Sequence, residues 1–191
     1  DRKVDVPDDS LYTTWIGSDF YKEGRMAATA LDECLKRQNR GEDRINIVVL
    51  QGTRGATATI GRTSGFNEIA GEHGNWVILD QVDAEFTTAK GQEQMERLLR
   101  LHPDIDVVIS QNDDMTFGAL EAIRGAGLTP GEEGDVIVIS FDAVKAALEL
   151  VESGDITADV ECNPNQGEYA ETVIQKMENN EAVRSEEHTS E

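Results

Sequence analysis

At least five times along this chain a short run of β-branched and other apolar residues stops at a polar or glycine-bearing tip, and an apolar stripe at helical spacing follows at once. Few architectures satisfy that alternation. Strands separated by helix-length crossovers pair in parallel, and a parallel sheet must be covered on both faces, so the expected fold is α/β, a doubly wound parallel sheet with helices on both sides. The clearest unit is Val107 to Leu120, VVISQNDDMTFGAL. Val107, Val108 and Ile109 read as a buried strand, Gln111-Asn112 as its polar tip, and Met115, Ala119, Leu120 and Ile123 as the stripe of a helix that Asp113 or Asp114 can cap.

The other units follow in order. Tyr12–Ile16 is a β-prone run ending at Gly17-Ser18-Asp19, and Met26, Ala27, Ala30, Leu31, Cys34 and Leu35 form a stripe. Ile45–Leu50 is a strand broken by Gln51-Gly52-Thr53-Arg54-Gly55, ahead of a helix through Ile60, Phe66 and Ile69 that Gly71 ends. Trp76–Leu79 precedes a helix that Thr87 or Thr88 opens and Pro103 stops; Val136–Phe141 delivers Asp142; Ile156–Val160 delivers Glu161, before a closing helix through Tyr169, Val173, Ile174 and Met177.

If these strands are parallel, Gln51, Phe86, Asn112, Asp142 and Glu161 meet at or just beyond one sheet edge, the carboxyl edge where open α/β sheets bind ligands. Carboxylates and an amide exchange hydrogen bonds with vicinal hydroxyls, and an aromatic ring stacks on the C–H face of a sugar. Arg62, one turn into the helix after the glycine loop, can fork onto two hydroxyl oxygens while paired with a carboxylate. Together these residues make a polyol site. Taken singly, Asp142 also reads as a helix cap, Arg62 as a surface charge and Phe86 as core.

Other chemistries find less support. The 38 acidic residues against 17 basic, a net charge of -21, repel phosphate and exclude nucleic acid as a partner. No run is long enough to insert in a membrane. QGTRGATAT lacks a phosphate-cradle pattern, no serine sits in GxSxG, and the histidines are not at metal-ligand spacing, so no catalytic residue, metal or cofactor is expected. Cys34 and Cys162 lie in different elements and read as packed thiols. Residues 184–191, RSEEHTSE, lack helical or strand periodicity, match the translation of a common sequencing-library adapter, and are expected to be a non-native tail.

The assembled motifs resemble the periplasmic sugar-binding proteins of ABC transporters, two-lobed type I receptors of the ribose- and galactofuranose-binding kind. The resemblance runs over residues 1–183: the Asp1-Arg2 pair, GSDFYKEG at Gly17–Gly24, QGTRGATATIGRTSGF at Gln51–Phe66, FTTAKG from Phe86, QNDDMTFGAL at Gln111–Leu120, Phe141-Asp142, and VECNP at Val160–Pro164. It implies that Asp1, Arg2, Arg62, Asn112, Asp142 and Glu161 hydrogen-bond a monosaccharide and that Phe86 lies against its ring. It implies a monomeric, extracytoplasmic receptor that hands its sugar to an ABC permease. It also implies that residues 19–161 form the second lobe, that 1–18 and 162–183 belong to a first lobe most of which lies outside this chain, and that Glu161, where ribose-type relatives carry Gln, argues against ribose. The alternative is the effector domain of a LacI-type repressor, which shares the fold.

Overall fold

The structure, a computed structural model, describes residues 6–183 and 186–188. Asp1 and Arg2 lie outside the described residues. Contacts divide the chain into two units, Phe20–Glu161 and a smaller one built from both chain ends.

The larger unit is a five-stranded, all-parallel sheet. Counting from β1 (Trp15–Gly17) in the smaller unit, its strands are β2 (Ile45–Gln51), β3 (Trp76–Asp83), β4 (Val107–Ser110), β5 (Ile137–Asp142) and β6 (Ala158–Glu161), in spatial order β3-β2-β4-β5-β6. Its helices are α1 (Phe20–Arg37), α2 (Thr57–Ala70), α3 (Thr88–Leu101), α4 (Asp113–Gly125) and α5 (Lys145–Ser153). Alternate strand residues feed two cores. Ile47, Val107, Ile109, Ile139 and Phe141 pack with the apolar stripes of α1 and α2. Val48, Leu50, Val108, Val138 and Ile156 pack with Met95 and Leu98 of α3, Leu120 and Ile123 of α4, and Ala147 of α5. This period-two split covers both faces, as a parallel sheet of β-branched runs requires.

Each face is sealed by helices in backbone contact. A Cβ on Gly65 would overlap the carbonyl oxygen of Tyr21, and one on Gly24 that of Arg62, so α1 and α2 cross where neither carries a side chain. Gly118 against Thr88 and Gly91 against Met115 repeat the device between α4 and α3. The crossing of α1 and α2 matters for the site because it brings Glu23 beside Arg62.

Three expectations change. The α4 N-cap is Asn112, whose Oδ1 accepts from the Met115 N–H at 3.0 Å, and not Asp113 or Asp114. Asp113 turns inward instead, where Ser140 and the next loop supply donors. β3 runs on to Asp83, four residues past the apolar run, because its ladder to β2 is carried by backbone groups whatever the side chains. Third, the tail without strand periodicity nonetheless carries a strand, β7 (Glu186–His188), which pairs in parallel with β1 at Trp15–Gly17. A strand edge offers backbone donors and acceptors to any extended segment, so pairing of this kind needs no side-chain pattern.

In the smaller unit, α6 (Gly167–Glu178) buries Val173 and leaves Ile174 and Met177 exposed. Ser18 Oγ and Cys162 Sγ lie 3.2 Å apart, and no disulfide joins Cys34 to Cys162.

Candidate sugar-binding rim

The strand order reverses between β2 and β4, and a doubly wound sheet opens a crevice at such a point because the flanking helices leave on opposite faces. Here the crevice is spanned by Gln111. Its Oε1 accepts from the Gly52 N–H at 3.1 Å, its Nε2 donates to Thr63 Oγ1 at 2.7 Å, and its carbonyl accepts from Arg62 Nη1. Both residues are buried: Gln111 braces the crevice, and the adjacent Asn112, just beyond the end of β4, is the α4 N-cap.

Arg62 is built into the floor of this rim. Its side chain is 3% exposed, Nε donates to Glu23 Oε2 at 2.8 Å, and Nη2 donates to Asp142 Oδ1 at 2.9 Å. The guanidinium carbon sits 4.9 Å from the Phe141 ring centroid and 5.4 Å from that of Phe20. A buried guanidinium so placed satisfies two carboxylates and a carbonyl while its planar faces meet aromatic rings, a combination lysine cannot reproduce. The reading of Arg62 as a surface charge is thus corrected. Glu23 was not singled out from the sequence, although an acid between Phe20 and Ala27 on an apolar helix face was a signal for a buried partner.

Asp142 is not a cap for α5, whose N-cap Val144 makes no side-chain cap bond. It ends β5 with φ +106°, and Ala143 follows at φ +57°. Two successive non-glycine residues in the left-handed region cost on the order of 1–3 kcal/mol each and persist only where neighbours enforce them. Burial pushes the Asp142 carboxyl above its ordinary range, Arg62 pulls it down, and Asp113 and Asp114 add to the upward push. Its side chain is 33% exposed at the rim. Glu161 stands directly across from it in the β5–β6 register, and is exposed.

A second left-handed pair, Glu85 (φ +57°) and Phe86 (φ +58°), closes the β3–α3 loop, with Asp83 Oδ1 accepting from the Glu85 N–H at 3.0 Å. The Phe86 ring meets Gly52, where any Cβ would overlap it, and is partly buried against the second core, so the reading of Phe86 as core holds in part. A continuous chain of contacts therefore runs along the carboxyl edge: Phe86 on Gly52, Gly52 to Gln111, Gln111 to Arg62, Arg62 to Asp142, and Asp142 beside Glu161. Arg62, Phe86, Asn112, Asp142 and Glu161 all belong to the larger unit.

The periplasmic binding protein domain family matches residues 3–181. The chain belongs to that family. The galactofuranose-binding protein YtfQ of Escherichia coli K12 is 35% identical over 179 residues, covering 92% of this chain and 54% of the relative. The periplasmic binding protein of the arabinose ABC transporter from Shewanella sp. ANA-3, solved with α- and β-L-arabinofuranose, is 37% identical with a TM-score of 0.89, covering 100% of this chain and 61% of that one. A Mycobacterium smegmatis protein solved with β-D-fucofuranose is 36% identical with a TM-score of 0.86, covering 97% and 60%. The chain thus spans about half the length of the curated relative and three-fifths of the solved ones. Members of this family adopt the doubly wound α/β architecture found here. Among the described residues, no helix is long and apolar enough to cross a membrane.

Proposed function

We propose that this chain supplies the second lobe of an extracytoplasmic sugar receptor that delivers a monosaccharide to an ABC permease. The observation that supports the reading is the rim itself: Phe86, Asn112, Asp142 and Glu161, far apart in sequence, lie at or just beyond one sheet edge, and Gly52, Gln111 and Arg62 connect Phe86 to Asp142. In this reading Asn112, with its oxygen committed to the Met115 N–H, offers its amide N–H groups to a hydroxyl. Asp142 and Glu161 accept from neighbouring hydroxyls, and the Phe86 ring meets the sugar's C–H face. Arg62 acts chiefly by fixing the Asp142 carboxylate and neutralising it. Asp1 and Arg2 are assigned to the same ligand by their place in the family pattern.

The relatives named above carry furanose sugars, which favours a furanose or a related aldose as ligand. In this reading the protein binds and releases its sugar without chemistry, in keeping with relatives that are binding proteins. Residues 1–18 and 162–183 are assigned to the first lobe, the remainder of which lies outside residues 1–191, and tail residues 184–191 to neither. Closure of two lobes on the sugar supplies the affinity, since contacts from both are made together only in the closed form. An importer receptor is preferred to a repressor effector domain because the relatives are transport binding proteins.

Thermal denaturation of the full gene product against L-arabinose, D-galactose, D-fucose, D-ribose and inositol tests this. A ligand bound by the folded state raises the melting temperature, by an amount set by RT ln(1 + [L]/Kd). A shift with at least one furanose-forming aldose is expected; no shift with any of the panel at millimolar concentration overturns the assignment.

A further inference from the structure

Asp142 is held by more than Arg62. The two amides that follow it are gripped by two carboxyl groups from different elements: the Ala143 N–H donates to Asp159 Oδ1 at 3.2 Å, and the Val144 N–H donates to Asp113 Oδ2 at 2.8 Å. Asp113 is itself fixed, because Ser140 Oγ donates to its Oδ1 at 2.5 Å and Thr116 Oγ1 lies 2.7 Å from Ser140 Oγ. The turn so gripped is the one whose residues Asp142 and Ala143 are both left-handed. A conformation that costly needs an external hold, and these two hydrogen bonds act at Ala143, one of the two left-handed residues, and at Val144 directly after it.

We propose that Asp113 and Asp159 are a positioning pair for Asp142, gripping the turn behind it so that its carboxylate is presented at the sugar rim. This rests on the sugar reading only for what Asp142 does when presented. Asp159 Oδ2 is buried, and the Asp159 and Asp113 carboxyl groups share a side-chain hydrogen bond, an arrangement that needs a proton on one of them and penalises two carboxylates. Burial first, then the charge of Asp113 and the hydrogen bond shared with it, and last the charge of Asp142, push Asp159 up to about 8. Asp113 is also raised by burial, against the Ser140 and Val144 donors. The charged groups facing this cluster are Asp142 on β5, Asp113 and Asp114 on α4, Arg62 on α2, and Glu23 on α1 through Arg62. One cation faces five acids, so neutrality of Asp159 is what keeps the acids of the turn together. Above its titration, a further negative charge beside Asp113 and Asp142 loosens the grip and displaces the Asp142 carboxylate.

The test uses the full gene product, L-arabinose and D-galactose as probes, and two readouts from pH 7 to 9.5. Sugar affinity of the wild type is expected to fall by about tenfold across that range, while D159N, the isostere of the neutral acid, holds its own affinity constant. Hydrogen exchange of the peptide spanning residues 141–148 reads the grip without sugar: its protection is expected to drop above pH 8 in the wild type and to persist in D159N. A wild-type protection that is unchanged through pH 9.5, or the same drop in D159N, overturns the pair. If neither sugar binds at any pH, the ligand assignment fails while exchange still decides the pair. If D159N does not fold, the wild-type exchange profile decides alone.

Discussion

Arg62 shows how a single residue can be structural and functional together. Its side chain is 3% exposed and its carboxylate partners, Glu23 and Asp142, are 0% and 33% exposed. Taking one partner from a buried pair leaves an uncompensated charge, so E23A is expected to cost about 3–5 kcal/mol in urea unfolding, although Glu23 is nowhere on the rim. A cost under about 1 kcal/mol would mean that the pair is already hydrated. Gly52 makes the opposite kind of prediction. A methyl group there collides with the Phe86 ring, which can swing aside without disturbing backbone. G52A is therefore expected to weaken sugar binding by about tenfold in calorimetric titration while unfolding stability changes by no more than about 0.5 kcal/mol. Polar residues at strand ends were legible in the sequence because apolar runs stop there. Their partners were not: Gln111 bonding across the switch point, or Asp113 turning away from its own helix, depends on contacts between segments dozens of residues apart.

At the scale of elements, helix and strand order followed from hydrophobic period, while boundaries moved both ways: β3 runs past its apolar residues where backbone pairing continues, and β1 and β6 begin later than theirs. What the pattern did not carry is how closely the helices approach. α1 and α2 touch through Gly65 and Gly24, and G65A would push a methyl group into the Tyr21 carbonyl. A loss of about 1–3 kcal/mol is expected, against no more than about 0.5 kcal/mol for G74A, which has open space around it. Equal costs for the two would remove the close crossing as the reason for glycine there. The β5–α5 turn gives a pH prediction. An ordinary aspartate ionises near 3.8, whereas Asp159 in the folded protein keeps its proton to about 8. Between those values the folded state holds a proton that the unfolded state has lost, so this group's contribution to stability is full below about pH 4 and is lost as pH rises to about 8. D159N, compared with wild type by urea unfolding at intervals of pH, is expected to remove that part of the slope. Parallel stability profiles for the two proteins would contradict it.

At the scale of the whole molecule, the larger unit was readable in the sequence because its five strands form a sheet by themselves, with both faces covered. The end segments showed a β-prone run and a helical stripe in the sequence, which became β1 and α6, but the pattern did not say what they pack on; α6 buries Val173 and leaves Ile174 and Met177 exposed. The net charge of -21 keeps anionic surfaces at a distance. The account as a whole stands on the rim being a sugar contact surface. Isothermal titration of the full gene product with its best sugar, beside E161A and D142N, tests this most directly. Glu161 is exposed at the end of its strand, so E161A is expected to fold with wild-type stability and bind at least about tenfold more weakly, with D142N weaker still. Wild-type affinity retained in both variants would contradict the account.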